Sequence, residues 1–207
     1  MRTLFSADYH LGHENIIKYC NRPFKDVTEM NAHIMLTHNS RVKQDDVVYY
    51  LGDFCFRNSP GGKTGEGTIH KAEYYRKQLN GNIIFIKGNH DRNNSLKTNI
   101  EKVVIRYGGI QICLVHNPLH VDYTYELNFV GHVHNAWKFK RLRHHETFTD
   151  VINVGIDVWG FKPVTFEEIM KEYKQWQKNG VKQSDDQKKP TSQNSQEKNE
   201  ENDSTKI

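Results

Sequence analysis

Asn82-Ile83-Ile84-Phe85-Ile86-Lys87 runs straight into Gly88-Asn89-His90-Asp91. A short, continuous apolar run reads as a strand buried on both faces. The glycine and the three polar residues after it mark a turn in which backbone can approach a ligand closely. The same arrangement recurs along the chain. Residues 3–7 are strand-like and lead to Asp8-Tyr9-His10; residues 47–51 end at Gly52-Asp53. Residues 110–115 end at His116, and residues 127–130 are followed by Gly131-His132-Val133-His134. Helical patterns lie between and after them: a short helix over 14–20, one from the capping-box pair Asp26 and Glu29 to about residue 39, and one over 69–79. A second capping box, Thr165 with Glu168, opens a helix ending near residue 176. Residues 103–106 and 110–115 flank Gly108-Gly109 as a hairpin, and 151–154 form a further strand. Strand–helix alternation followed by consecutive strands predicts a layered α/β core, part parallel and part hairpin.

With 207 residues and 36% hydrophobic composition, the chain can bury one core of ordinary size. Its apolar runs fall well short of the roughly 18 residues needed to cross a bilayer, which excludes an integral helical membrane protein. No apolar leader precedes the first strand. Cys20, Cys55 and Cys113 are too widely spaced for a disulfide framework or a paired-cysteine zinc site, so a cytoplasmic location is expected. The net charge of +4 lies entirely on residues 1–177, because 178–207 balance six lysines against six acids. That charge agrees only weakly with a phosphate-bearing substrate. From about residue 179 the composition turns to Gln, Asn, Ser, Lys and Glu without aromatics, which predicts a disordered polar tail behind a domain of residues 1–178.

The chemistry collects at the strand ends. Five successive ends each deliver Asp, Asn or His, and ligand sites of open α/β sheets lie outside the carboxyl ends of strands. In extended chain, residues two apart face the same side, so Asp8 with His10 and His132 with His134 are expected to aim inward as pairs. Adjacent Asn89 and His90 diverge, one toward a metal and the other toward substrate. Carboxylate and imidazole donors without thiolate suit Mn²⁺, iron or Zn²⁺. Four His, two Asp and one Asn exceed the needs of one tetrahedral ion and fit two ions sharing a bridge.

The series Asp8-x-His10, Gly52-Asp53, Gly88-Asn89-His90-Asp91, His116 and Gly131-His132-x-His134 resembles the calcineurin-like metallophosphoesterase superfamily, with all five motifs in family order. The resemblance implies a metallophosphoesterase-type β-sandwich core flanked by helices over roughly residues 1–175, with the active site at the C-terminal ends of strands. It also implies two divalent ions about 3.5–4 Å apart. One would be held by Asp8, His10 and His134, the other by Asn89, His116 and His132, with Asp53 bridging. Mn²⁺ is the expected metal, with iron, Zn²⁺ and Ni²⁺ as alternatives. His90, not a ligand in this family, would stabilise developing charge on the substrate phosphate or protonate the leaving oxygen. Asp91 would orient His90 or its loop. The implied reaction is phosphoester hydrolysis by a metal-bridging hydroxide without a covalent enzyme intermediate. A small phosphodiester or nucleotide is favoured over long nucleic acid, since the motifs leave no room for appended nucleic-acid-binding domains. No membrane partner is implied, and the oligomeric state stays open. The alternatives are a nuclease on single strands and a non-catalytic metal-binding scaffold; retention of every ligand position and His90 weighs against the latter.

Further residues are candidates of a weaker kind. His13, Asn117 and Arg92 are the candidate substrate contacts, each weighed against helix capping or a solvated surface position. Arg22 is a candidate phosphate-binding cation, with a solvated arginine as the default reading. His33, His38 and His70 read as surface positions, His120 as surface or supporting, and His144-His145-Glu146 as a solvated turn. Gly62-Lys63-Thr64 is not a nucleotide-binding P-loop, because the required first glycine is Arg57. The glycine-rich stretch 57–67 is instead a candidate flap over the site.

Overall fold

A computed structural model describes residues 1–56, 70–93, 96 and 98–180. The candidate flap and residues 181–207 of the expected tail lie outside the described residues. In chain order the elements are β1 (Thr3–Ser6), α1 (Asn15–Tyr19), α2 (Val27–Arg41), β2 (Val47–Leu51), α3 (Ala72–Arg76), β3 (Asn82–Ile86), β4 (Lys102–Tyr107), β5 (Ile110–Val115), β6 (Leu127–Val130), β7 (Phe139–His144), β8 (Thr147–Asn153), β9 (Val164–Thr165) and α4 (Phe166–Lys178). They form two mixed sheets, ordered β3-β2-β1-β9 and β4-β5-β6-β8-β7. β1, β2 and β3 run parallel, as do β5, β6 and β8; β9, β4 and β7 are antiparallel additions at the edges.

Strict alternation builds the layers. In β5, Ile112 and Leu114 point into the core between the sheets, while Cys113 and Val115 support a second cluster with Val130 and Val151. Phe5 from the first sheet meets Phe129 from the second edge-to-face, with ring centroids 5.0 Å apart, a favoured aromatic geometry. On the other face of the first sheet, Tyr50 and Phe54 pack with Met30 and Ile34 of α2 and Tyr75 of α3. Phe166, Ile169 and Tyr173 of α4 join the central core. No described helix is long and apolar enough to cross a membrane.

The helix starts follow the expected chemistry. Thr165 and Glu168 form the full reciprocal box. Asp26 accepts from the Glu29 amide at 2.8 Å, but the Glu29 carboxylate reaches one residue further back, to Lys25 N.

Three expectations change. β3 is an edge strand with Ile83, Ile84 and Phe85 only half-buried, because it has a neighbour on one side alone. The strand expected at 151–154 is the end of the longer β8, paired with β7 across the His145 turn. His38 is fully buried rather than on the surface. Its Nδ1 lies 2.8 Å from the Tyr9 hydroxyl and its Nε2 3.0 Å from the Asn80 carbonyl, so both ring nitrogens are satisfied inside the fold.

Candidate metal centre

The parallel strands of both sheets deliver their C-terminal ends to one rim. Asp8 and His10 follow β1, Asp53 follows β2, and Asn89, His90 and Asp91 follow β3. His116 follows β5, and His132 and His134 follow β6. Beyond the strands the first two loops stay laddered, with Asp8 N to Gly52 O, His10 N to Asp53 O and Leu11 N to Phe54 O each at 3.0 Å.

The ligands do not converge through extended pleating as the spacing suggested. Asp8 (φ 62°), His10 (φ 50°), Asp53 (φ 57°), His132 (φ 73°) and His134 (φ 47°) are all left-handed. They are five of the eight non-glycine residues of this kind among the described residues. Each costs about 1 kcal/mol or more, and such strain persists only where the surroundings over-determine it. Room is equally tight. A Cβ on Gly52, itself at φ 84°, would stand 2.5 Å from His116 Nδ1 and 2.7 Å from the Gly88 backbone. A Cβ on Gly88 would collide with the Asp53 carboxylate and amide.

Two groups of donors result. Ligand atoms of Asp8, His10 and His134 all lie within 4.8 Å of one another, as do those of Asp53, His116 and His132. Asn89 belongs with the second group, its Oδ1 standing 3.0 Å from His116 Nε2 and 2.9 Å from His132 Nδ1. Asp53 stands between the two, with Oδ2 3.5 Å from His10 Nε2 and 3.3 Å from His116 Nε2. His116 Nδ1 lies 2.6 Å from the Leu51 carbonyl, which fixes the proton there and leaves Nε2 as the donor atom. His134 Nδ1 likewise faces Asp157 Oδ2 at 3.1 Å.

These residues fit cations. Both ring nitrogens of His10 are buried without a hydrogen-bond partner, a costly arrangement unless something electrophilic is bound. Burial holds its imidazole neutral, well below the usual histidine pKa, and neutral imidazole is the form that ligates. Burial lifts Asp8 to about 6. Burial alone would depress His116, but the Asp53 carboxylate carries it up to about 9. His134 rises to about 10 against the same opposition because Asp157 accepts from it. The carboxylates of this rim thus attract positive charge, which two divalent ions would supply.

The remaining expected residues are distributed around this cluster. His90 is exposed at the mouth, with its ring 5.2 Å from that of His10 and its own amide donating to Asp53 Oδ1 at 2.9 Å. Asp91 accepts from the amides of Asp53 (2.8 Å), Phe54 (3.1 Å) and Gly88 (2.8 Å), so it clamps the loops after β2 and β3 together. His13 is buried and stacks on Phe56 at 3.8 Å. Asn117 caps the turn after β5 through Leu119 N and lines a small cleft with Asn89 and His116. The Arg92 side chain lies outside the described residues.

Arg22 is the main correction. It is buried, not solvated: Nε and Nη2 grip both oxygens of Asp157 at 2.8 and 2.9 Å. Nη2 and Nη1 also donate to the carbonyls of Asp8 and Tyr9 at 2.7 and 2.9 Å. Asp157 was not among the expected site residues. The signal was present, since Gly155-Ile156-Asp157 follows the end of β8 as the other polar groups follow theirs. Cys20 also groups with His134 and Asp157. Both Asp157 oxygens are already engaged by Arg22, so this trio offers no independent cation site.

No protein-family profile matches the chain. An uncharacterized protein of Methanocaldococcus jannaschii is 37% identical over 175 residues, spanning 80% of this chain and 87% of that protein. The gene 66 protein of Mycobacterium phage L5 is 27% identical over 202 residues, covering 81% of this chain and 91% of its own. A solved structure of a protein of unknown function from Aquifex aeolicus superposes with a TM-score of 0.60 at 24% identity, covering 82% of this chain and 98% of that one, and shows the same fold. The chain therefore belongs to one family with the uncharacterized archaeal protein, and its five motifs, gathered at one rim of a two-sheet α/β sandwich, have the arrangement that the resemblance to calcineurin-like metallophosphoesterases implies.

Proposed function

We propose that the protein hydrolyses a phosphate ester with two divalent metal ions, and that its substrate is a small phosphodiester. The observation that carries this reading is the pair of donor groups, Asp8-His10-His134 and Asp53-His116-His132, with Asp53 facing both. Two ions, when bound there, would supply an activated water as nucleophile and would neutralise charge on the phosphoryl oxygens. Mn²⁺ suits the oxygen and imidazole donors.

The residues of the chain do the rest. Asp53, held by its own left-handed turn and the Asp91 clamp, is the shared ligand, and its loss disables both ions. Support for His90 as proton donor to the leaving oxygen, or as counter-charge to the phosphate, comes from its exposure at the mouth beside His10. A diester is favoured because a cleft lies against each donor group. One of about 380 Å³ is bordered by His10, His134, His13, His90 and Tyr19. Another of about 150 Å³ is bordered by Asn89, His116, Asn117, His120 and Lys87. Each can take one substituent of a diester, with the phosphorus between them. A compartment that keeps thiols reduced agrees with three cysteines that form no disulfide with one another.

The test is hydrolysis of bis-p-nitrophenyl phosphate beside p-nitrophenyl phosphate by metal-stripped protein titrated with Mn²⁺. The expected result is metal-dependent turnover, faster on the diester and lost in Asp53→Asn. Two bound ions without turnover of either ester would overturn the hydrolase; no ion binding would overturn the whole reading.

A further inference from the structure

The two donor groups are backed differently. Among the described residues, His116 Nδ1 is backed by the Leu51 carbonyl at 2.6 Å, with Asp8 Oδ1 further off at 3.9 Å, and Asn89 is a neutral, exposed amide. Behind the other group stands a buried ion pair. Arg22 and Asp157 have side chains 0% and 2% exposed, and together they make five contacts that converge on that group. Asp157 receives Nε and Nη2 of Arg22 and, on the same oxygen as Nη2, Nδ1 of His134 at 3.1 Å. The guanidinium then reaches the carbonyls of Asp8 and Tyr9, fixing the turn that holds Asp8 at φ 62° and leads into His10.

We infer that Arg22 and Asp157 are positioning residues for the ion held by Asp8, His10 and His134, and that they make this site the tighter of the two. The inference rests on the two-ion reading above. The charges of the pair cancel, so its contribution is orientation. One guanidinium fixes the backbone of Asp8, and through Asp157 it fixes the ring plane and tautomer of His134. Such outer partners commonly govern metal affinity by 10–100-fold. A planar, five-donor fork can make all these contacts at once, which an ammonium cannot. Donor charge adds to the ordering. The donor set of this site holds Asp8 as well as the shared Asp53, whereas the donor set of its neighbour holds the shared carboxylate and an amide. Asp8 reaches that neighbour through the His132 amide and, at 3.9 Å, the Nδ1 edge of His116.

A buried ion pair that merely held the fold together would not distinguish the two sites, and the experiment uses that difference. Metal-stripped full-length protein is titrated calorimetrically with Mn²⁺ in two backgrounds, Asn89→Ala, which leaves the Asp8 site, and Asp8→Asn, which leaves the other. Asp157→Asn is then added to each, with circular dichroism confirming the fold. The expected result is at least 10-fold weaker binding in the Asn89→Ala background and a change below twofold in the Asp8→Asn background. Arg22→Lys, which keeps the charge and loses the fork, should follow the same pattern and replaces Asp157→Asn if that variant does not fold. Equal weakening in both backgrounds, or in neither, overturns the positioning role. Two ions of equal affinity in the wild type overturn the ordering. A wild type that binds no Mn²⁺ refutes the two-ion reading as well, so the two failures are distinguishable.

Discussion

His38 is 0% exposed, and burial draws its imidazole down to about 4 from 6.5. Its neutral form is the one the fold accommodates: Nε2 donates to the Asn80 carbonyl and Nδ1 receives the Tyr9 hydroxyl. A histidine whose pKa is depressed by folding contributes stability that is complete above the unfolded pKa and is lost as pH falls toward the folded one. The window is therefore pH 6.5 down to about 4. At about pH 5 the unfolded chain holds this proton and the folded one does not, which lowers stability by about 2 kcal/mol relative to about pH 8, rising to about 3 kcal/mol near pH 4. His38→Gln removes the titration. The variant is expected to be less stable than wild type at pH 8, with a gap that narrows by about 2 kcal/mol at pH 5. Urea unfolding of the metal-stripped protein at the two pH values measures this directly, since other histidines titrate equally in both chains. Parallel losses, agreeing within about 0.5 kcal/mol, would refute the claim that His38 is buried neutral.

Asp91→Ala leaves the amides of Asp53, Phe54 and Gly88 without this acceptor, so a loss of about 3 kcal/mol or more is expected in urea unfolding. Asp91→Asn keeps one acceptor oxygen and should lose less. Gly88→Ala drives a methyl into the Asp53 backbone and carboxylate, and isothermal titration should find Mn²⁺ binding abolished. Gly109→Ala, where a Cβ meets nothing within 4 Å, should bind normally and lose only the roughly 1–2 kcal/mol of its positive φ. Thr165→Ala breaks the α4 capping box, and a fall of about 1 kcal/mol with unchanged metal stoichiometry is expected.

The strands that carry the site were readable because each is an apolar run with a polar end; β2, β5 and β6 have the bounds their sequences suggest. β7 was missed for the converse reason. Phe139-Lys140-Arg141-Leu142-Arg143-His144 is an edge strand, nowhere fully buried, and shows no apolar run. His38 reads as exposed because Thr37 and Asn39 flank it and its partners, Tyr9 and Asn80, are 29 and 42 residues away, yet it stands four residues after Ile34 on the buried face of α2. Arg22 looked solvated because its carboxylate lies 135 residues along the chain. Residue types at the site could be read locally. Their left-handed backbones and buried supports depend on how distant loops meet, and local pattern carries little of that.

Each donor group draws on both layers of the sandwich. Asp8, His10, Asp53 and Asn89 come from the first sheet, and His116, His132 and His134 from the second. Neither sheet alone presents a complete set. During synthesis the first sheet's four ligands emerge early and wait while the second sheet is made; the support for His134 arrives only with Asp157, and the chain then returns to pair β9 with β1. Assembly of the site therefore reports the docking of the two layers, and a nascent chain truncated before residue 157 lacks the carboxylate that orients its last ligand.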